Sequence, residues 1–398
     1  MGYRGNDFAI DRVAVIGSGN IGPDIALYFA KTLHDHGVRV VVVDVATLAL
    51  ERGRAKFEQK ITKGRESGVF TAEAAEAMLA GTIFTTEYDQ VRGAGLVVEA
   101  ATENLEIKRR IFAQLESVCG PSAVLASNSS HIEPEEIFAG LGKPERALVI
   151  HYFFPAERNP LVEIVPGRST DPALTRRLMG FYEAIGKVPI QVGSRYGYAV
   201  NPVFEGLFLA SALAVEAGLG TTREVDAVAR HALGLGVGPF TAMNLTGGNP
   251  ITSHALDQMT GFGAWWRTPQ LMKEALASGQ PWEVPRRDEK VEVTPDRERL
   301  IGDTLRGAYF GLVGQILDSG IISLADLELG IETGLVMKPP FEYMNELGVD
   351  RALALVRAYA ASHSGFAVPR CLVEQAEAGR PFRVELALRR DAADVAVL

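Results

Sequence analysis

Cysteine is nearly absent from this sequence: Cys119 and Cys371 are the only two in 398 residues. They lie far apart and lack histidine neighbours at metal-ligand spacing, so we expect neither a disulfide framework nor a structural zinc site. So few cysteines are typical of the reducing cytosol, and a cytoplasmic location is the expectation. An excess of basic residues is also missing. The formal net charge of −9 argues against nucleic acid and anionic membrane surfaces as partners.

The sequence also lacks a long uninterrupted apolar run. The longest such stretch, residues 203–219, is broken by Glu205 and Glu216, and a buried helix explains it better than a membrane span. Residues 1–12 carry four charged side chains and no apolar core, so we expect no signal peptide. What is present, 47% hydrophobic and 22% charged residues, is the composition of a globular protein with room for two or three domains.

A glycine motif, G-S-G-N-I-G, begins at Gly17, directly after one apolar run and before a helix-like stretch. Gly17 permits a tight strand-to-helix turn, Gly19 keeps side-chain atoms away from a pyrophosphate, and Gly22 allows close packing of helix on strand. Asp44 ends a second apolar run 22 residues after Gly22, where a carboxylate binds the adenosine ribose and repels a 2′-phosphate. The pattern predicts NAD as the cofactor, bound by Gly17, Gly19, Asn20, Ile21, Gly22 and Asp44.

Short apolar runs alternate with longer periodic segments through the first half of the chain. This alternation predicts a parallel sheet with crossover helices, and the consecutive apolar positions indicate strands that are covered on both faces. The candidate strands are residues 13–16, 38–43, 96–99, 124–127, 148–151, 161–165 and 188–192.

A polar segment, residues 50–81, separates the second and third of these runs and is expected to form a helical hairpin insertion. Its first helix carries Lys56, Lys60 and Lys63 on one face. Two interpretations stay open for these lysines: a solvated charge stripe, or a site for the phosphorylated tail of a substrate.

After about residue 193 the strand signals disappear and helical patterns dominate. An internal repeat follows: Asp226 and P-F-T-A-M-N at 239–244 recur as Glu328 and P-F-E-Y-M-N at 340–345. The offsets, 102 and 101 residues, differ by a single deletion. Two copies of a helical unit are expected to bury apolar faces on each other.

These patterns predict an α/β Rossmann-type N-terminal domain with a helical hairpin insertion, followed by two repeated all-α domains. The expected boundaries are 1–193 for the nucleotide-binding domain, 194–285 for the first helical domain and 286–398 for the second. A proline- and charge-rich stretch at residues 281–295 is expected to link the two copies.

Candidate residues for acid–base chemistry follow the later strands, because open α/β sheets bind ligands outside the carboxyl ends of their strands. Three segments qualify: S-N-S-S at 127–130, H-Y-F-F-P at 151–155 and L-V-E-I at 161–164. Asn201, near the start of the first long helix after the boundary, joins them.

The spacing of these segments resembles that of the L-3-hydroxyacyl-CoA dehydrogenases. That family's V-V-E-A-x-x-E-N-x-x-x-K stretch is matched at 97–108, its H-F-F-N-P at 151–155 and its L-V-E-V at 161–164. Its S-N-T-S-S stretch corresponds to 127–130 with one hydroxyl residue fewer, and the asparagine of its V-N-R falls on Asn201. The tandem helical domains look like the dehydrogenase part of bacterial multifunctional fatty-oxidation proteins.

The resemblance implies that His151 is a general base, a role that suits an imidazole because its unperturbed pKa is roughly 6.5. Glu163 would hold the ring in one tautomer, and Ser130 and Asn201 would hydrogen-bond the reacting oxygen. Further residues are implied at the two ends of the site. Glu103, Lys108 and Asn128 would line the nicotinamide-ribose end, and Lys56, Lys60 and Lys63 would meet the phosphates of coenzyme A.

Some positions depart from the family pattern. Phe154 stands where the family has asparagine, Pro202 replaces the usual arginine, and S-R-Y-G-Y at 194–198 replaces the usual D-x-P-G-F. We therefore expect Phe154 and Tyr198 to contact the substrate in an acyl pocket that is narrowed or shaped for a ring-bearing acid.

The leading hypothesis is NAD-dependent oxidation of an (S)-3-hydroxyacyl-CoA. One alternative keeps the fold but acts on a free hydroxy acid, such as carnitine or gulonate. Another is a catalytically silent NAD-binding protein, for which Phe154 and Pro202 are the only support. Relatives with a single helical domain pair through it, so both a monomer and a homodimer stay open for this chain.

Overall fold

The computed structural model describes residues 2–246, 249–287 and 289–384, which form two compact units that divide between Arg195 and Tyr196. Met1, Gly247, Gly248 and Asp288 lie outside the described residues. So do residues 385–398, the end of the third expected domain.

The first unit alternates strands with helices. Its strands are β1 (Tyr3–Gly5), β2 (Phe8–Ile10), β3 (Arg12–Ile16), β4 (Arg39–Val43), β5 (Thr82–Thr85), β6 (Leu96–Glu99), β7 (Val124–Ser127), β8 (Ala147–Tyr152), β9 (Leu161–Pro166) and β10 (Val188–Gln191). Its helices are α1 (Gly22–Leu33), α2 (Thr47–Glu66), α3 (Ala72–Gly81), α4 (Leu105–Val118), α5 (Pro134–Ile137) and α6 (Pro172–Ala184).

In the described part of this unit, eight strands form one sheet in the order β10-β9-β8-β7-β6-β3-β4-β5. The strands from β3 to β8 pair in parallel, and β6 and β7 are buried along their whole length. Continuous burial is the reason for their unbroken apolar runs. The predicted Rossmann-type parallel sheet is confirmed.

The pairing of β8 with β9 is antiparallel, unlike the rest of the predicted sheet. The connection, residues 153–160, is too short for a crossover, which takes a dozen residues or more, so the chain turns back beside itself. Glu163 therefore reaches the site from within β9. Its position within a strand agrees with the predicted strand at residues 161–165.

Three described strands of this unit, β1, β2 and β5, were missed. Strand β5 pairs in parallel with β4 at the sheet edge, so a strand follows directly after residues 50–81. Only Phe84 of its four residues is buried, which leaves no apolar run to detect. Strands β1 and β2 form a hairpin whose turn residues, Asn6 and Asp7, have positive φ angles of 50° and 54°. Among residues other than glycine, Asn and Asp tolerate that conformation best, so the pair was a readable turn signal.

The described residues of the second unit form helices and no β-strand, as predicted. Its helices are α7 (Val200–Glu216), α8 (Thr222–Leu233), α9 (Pro239–Leu245), α10 (Asn249–Gln258), α11 (Gln270–Ser278), α12 (Pro295–Asp318), α13 (Leu324–Leu335), α14 (Pro340–Leu347), α15 (Val349–Ser362) and α16 (Arg370–Glu377). Helix α12 packs against α7, α8 and α15. Among the described residues, no helix has both the length and the apolar character needed to cross a membrane.

Equivalent hydrogen bonds recur within the second unit. Asp226 accepts the backbone N–H groups of Phe240 and Thr241 at 2.8 and 3.0 Å, and so caps the start of α9. Glu328 likewise accepts those of Phe341 and Glu342 at 2.7 and 2.9 Å, at the start of α14. Asn244 and Asn345 also correspond, because each exchanges two hydrogen bonds with one aromatic residue's backbone.

Candidate active site

The glycine motif forms the turn from β3 into α1. Gly17 has a φ of +107°, and a Cβ there would lie 2.6 Å from the carbonyl oxygen of Ala100. A Cβ on Gly22 would lie 2.0 Å from the Gly17 oxygen, so both positions admit only glycine. A Cβ on Gly19, by contrast, would meet no atom within 4 Å. This open space beside the start of α1 fits a dinucleotide pyrophosphate.

Asp44 follows β4 and organises this turn. Its Oδ2 accepts the backbone N–H of Ser18 at 2.7 Å, and its Oδ1 accepts that of Ala46 at 2.9 Å. The carboxylate is half-buried, so its remaining lone pairs are available to a ribose. Asn20 is exposed, and Ile21 precedes the first residue of α1. All six predicted cofactor residues of this motif thus lie around one turn.

A buried ionic network joins the carboxyl ends of β6 and β7. Lys108 Nζ contacts Glu99 Oε2 at 2.8 Å and Glu103 Oε2 at 3.4 Å, and it donates to Ser127 Oγ at 3.2 Å. Lys108 and Glu99 are both fully buried, so the pair needs these contacts to offset its desolvation.

Glu103 continues this network into the loop after β7. Its Oε1 accepts the Ser129 hydroxyl at 2.6 Å and the backbone N–H groups of Ser130 and His131 at 2.9 and 3.2 Å. Desolvation by itself raises the pKa of the Glu103 carboxyl. The charge of Lys108 and the hydrogen bond from Ser129 outweigh this effect, so the pKa is lowered overall. The half-buried Ser130 is therefore fixed by its backbone.

His151 and Glu163 occupy directly paired positions on β8 and β9. His151 Nδ1 lies 2.7 Å from Glu163 Oε2, and both side chains are buried. Asn128 lies beside this pair, because its Oδ1 accepts the backbone N–H of Tyr152 at 2.9 Å. When a buried carboxylate accepts the Nδ1 proton of a neutral imidazole, the ring's basic lone pair is on Nε2, the atom that would exchange a proton.

The three lysines of α2 differ in their surroundings. Lys56 Nζ contacts Asp24 Oδ2 at 2.9 Å and donates to the Asn20 oxygen at 2.7 Å. Lys60 Nζ contacts Asp24 Oδ1 at 2.8 Å and also binds Glu157. Lys63 is exposed, and its ammonium has no partner among the described residues. Two of the three lysines on this face, Lys56 and Lys60, thus form salt bridges with α1 through Asp24.

Three further predicted residues belong to other segments of the chain. Phe154 follows β8 and is 58% exposed. Asn201 and Tyr198 belong to the second unit: Asn201 is the second residue of α7, and Tyr198 is fully buried with a φ of 54°.

Glu99 and Asp24 were missed as organising residues. Glu99 ends an otherwise apolar buried strand, and Asp24 interrupts an apolar helical stretch and is 0% exposed. An acidic residue in such a position is rarely buried without a charged partner. An acidic residue within an apolar stretch was thus visible in the sequence, but the sequence does not show which basic residue pairs with it.

Comparison with known proteins matches both units. Residues 12–195 match the family model described as 3-hydroxyacyl-CoA dehydrogenase, NAD binding domain. Residues 197–281 match the model described as 3-hydroxyacyl-CoA dehydrogenase, C-terminal domain.

Two relatives and one solved structure are especially similar. The chain is 33% identical over 278 residues to 3-hydroxyadipyl-CoA dehydrogenase of Escherichia coli K12, covering 68% of this chain but only 56% of that protein. It is 33% identical over 241 residues to 3-hydroxybutyryl-CoA dehydrogenase of Mycobacterium tuberculosis, covering 60% of this chain and 83% of the relative. The crystal structure of Escherichia coli 3-hydroxybutyryl-CoA dehydrogenase shares the fold, with a TM-score of 0.80 at 22% identity over 94% of this chain and 99% of its own.

Proposed function

This chain belongs to the 3-hydroxyacyl-CoA dehydrogenase family of NAD-dependent oxidoreductases, and from that premise we propose that it oxidises an (S)-3-hydroxyacyl-CoA to the 3-oxoacyl-CoA. The contact of 2.7 Å between His151 Nδ1 and Glu163 Oε2 carries the proposal. The acyl group is proposed to be an unusual one, because Phe154 departs from the family pattern.

In the proposed reaction, the substrate hydroxyl loses its proton to His151 Nε2. Glu163 keeps the Nδ1 proton in place and stabilises the imidazolium that forms. The same substrate carbon loses a hydride, and bound NAD supplies the hydride acceptor. One C–H and one O–H bond break, and a carbonyl forms.

Other residues orient the substrate and the cofactor in this proposal. Ser130 and Asn201 donate hydrogen bonds to the reacting oxygen. Glu103, Lys108 and Asn128 shape the nicotinamide-ribose end. Asn128 suits this role because its Oδ1 already accepts the Tyr152 N–H, which leaves its Nδ2 as a donor. The buried contacts of Lys108 favour an organising function over direct contact with the ribose.

Lys63 is proposed to attract the phosphates of coenzyme A. Lys56 and Lys60 already bind Asp24, so their charges are largely compensated. Lys63 lies on the same helix, is exposed and has no partner among the described residues. Of the three, it is therefore the cation most available to an anion.

We also propose that the helical unit is a duplication, with copies at residues 194–285 and 286–398. The equivalent caps by Asp226 and Glu328 support this organisation. If α12 covers in this chain the surface through which single-copy relatives pair, the protein is a monomer. Sedimentation at a mass near 42.9 kDa is the expected result, and twice that mass is the contrary one.

The test of the activity is a panel of 3-hydroxyacyl-CoA thioesters and the matching free acids, assayed by NADH absorbance. We expect turnover of at least one (S)-thioester, none of its (R) enantiomer and little of the free acid. Turnover of the free acid at the thioester's rate would favour the alternative without coenzyme A. NAD binding without turnover of any thioester would favour the silent protein. His151→Gln is the matched negative control.

A further inference from the structure

The loop between β8 and β9, residues 153–160, connects the strand of His151 to that of Glu163. Because these strands are antiparallel, this loop determines which residues face each other across the pair. A slip by one residue would turn one of the two side chains to the opposite face of the sheet. Whatever holds the loop in shape therefore also holds the imidazole against its carboxylate.

Lysines from three different elements donate to this loop. Lys187, just before β10, donates from Nζ to the carbonyl oxygens of Ala156 and Asn159, both at 2.6 Å. Lys31 of α1 donates to the Glu157 carbonyl at 3.2 Å. Lys60 of α2 binds the Glu157 carboxylate. The last two contacts involve partly exposed lysines.

Lys187 differs from the other two because it is 1% exposed. Its Nζ lies 4.0 Å from the ring centroid of Tyr28 and 5.5 Å from that of Tyr152, the residue after His151. Burial is the main reason that its pKa is lowered, to about 7, and Lys31 adds to the effect. A methionine of similar length would fill this space without desolvating an amine. Packing alone therefore does not explain a lysine here, whereas two carbonyl groups that need a donor do.

We propose that Lys187 is a positioning residue for the His151–Glu163 pair: by binding two carbonyl groups of the β8–β9 loop, it holds the two strands in the register that pairs imidazole with carboxylate. This inference rests on the proposed function in one respect: it takes His151 and Glu163 as the catalytic pair. Lys187 lies in the interior of the sheet unit and takes no part in proton or hydride transfer.

Lys187→Met tests the proposal, because it keeps the length of the side chain and removes its donor. We expect kcat to fall by between about 10- and 100-fold, as for a small misplacement of reacting groups, with unchanged KM values for NAD and thioester. Lys187→Arg, which restores donors, should recover most of the loss. Arg158→Gln, which changes an 80% exposed side chain of the same loop, is the matched control and should change kcat by no more than about threefold.

A second readout does not depend on turnover. In the unaltered protein, the Nδ1 proton of His151 should give a downfield NMR resonance that disappears in His151→Gln. In Lys187→Met this resonance should be lost or broadened while the folded spectrum persists. If the unaltered protein lacks the resonance and any turnover, the proposed function itself fails. If Lys187→Met keeps both the resonance and kcat, only the positioning role fails.

Amide hydrogen exchange in the unaltered protein tests the proposal even if Lys187→Met does not fold. The backbone N–H groups of Arg158 and Asn159 both donate to the Pro155 oxygen, at 2.9 and 2.8 Å. A loop held from inside should exchange these amides about as slowly as those of β8. Exchange as fast as that of an exposed loop would overturn the proposal.

Discussion

The Glu163 carboxylate faces His151 Nδ1 across two strands that run in opposite directions, at positions directly paired in the sheet. The register of one antiparallel pair thus brings the acid to the base, and each side chain is held by a regular strand.

Replacement of His151 by glutamine should lower kcat by about 10²- to 10⁴-fold, the usual contribution of a general base. Glutamine keeps a polar group beside Glu163 but cannot accept the substrate proton. NAD binding, measured by isothermal titration, should stay unchanged. A variant that keeps its full rate would remove His151 from the mechanism.

Gly19→Ala should raise the Kd for NAD about tenfold or more while it leaves the thermal midpoint unchanged. The added methyl group meets no protein atom but projects into the space assigned to the pyrophosphate. Isothermal titration and thermal unfolding measure the two effects separately.

Gly22→Ala is the contrasting variant of the same turn. Its Cβ would lie 2.0 Å from the Gly17 oxygen, so we expect a loss of stability of about 1–3 kcal/mol. If Gly19→Ala were the destabilised variant and Gly22→Ala the stable one, the assignment of the open space would be wrong.

Lys63→Ala should raise the KM for the thioester by up to about fivefold, since an exposed ion pair contributes up to about 1 kcal/mol. Its kcat should not change, and neither should its KM for a thioester that lacks the nucleotide part of coenzyme A. Steady-state kinetics with both substrates measure the difference.

Lys56→Met is the matched control on the same helix face. It removes one of the two cations that bind the buried Asp24, so we expect about 1–2 kcal/mol of lost stability. A larger effect on KM from Lys56→Met than from Lys63→Ala would place the phosphates at Lys56 instead.

The helical unit should lose stability as the pH rises from about 5 to 8. Burial, reinforced by the nearby Glu342 and Glu332, raises the pKa of Glu328 from 4.5 to about 7. A carboxyl with a raised pKa binds a proton more tightly in the folded state. Its stabilising effect is therefore complete below pH 4.5 and is lost as the pH passes 7.

Glu328→Gln should remove this dependence, and its stability relative to the unaltered chain should rise by about 1–3 kcal/mol from pH 5 to pH 8. Denaturation followed by tryptophan fluorescence reports this unit alone, because all three tryptophans, Trp265, Trp266 and Trp282, lie in it. A constant difference between the two proteins across this range would contradict the prediction.

Local patterns carried much of this fold. The apolar runs of β3, β4, β6 and β7 marked strands that are covered on both faces, and the glycine motif marked its own turn. Each of these features depends on neighbouring residues, so it is readable along the chain. Strand β5 was missed because an edge strand with one buried residue has no such pattern.

Contacts between distant residues were less readable. The stripe of lysines on α2 was visible, but Asp24, the buried partner of Lys56, lies 32 residues earlier in the chain. Lys187 gave no signal at all, because its role depends on carbonyl groups 28 and 31 residues away. The burial and the charged partners of such residues depend on tertiary packing, which a repeating pattern of neighbouring residues cannot reveal.

The sequence by itself determined the nucleotide turn, the buried strands and the helical second half, because residue type and short-range spacing specify each of them. The candidate base and acid came from the family resemblance. Only the tertiary structure decided how His151 meets Glu163 and which lysine stays free. Both outcomes depend on the direction in which the chain returns after residue 152 and on partners brought near by packing.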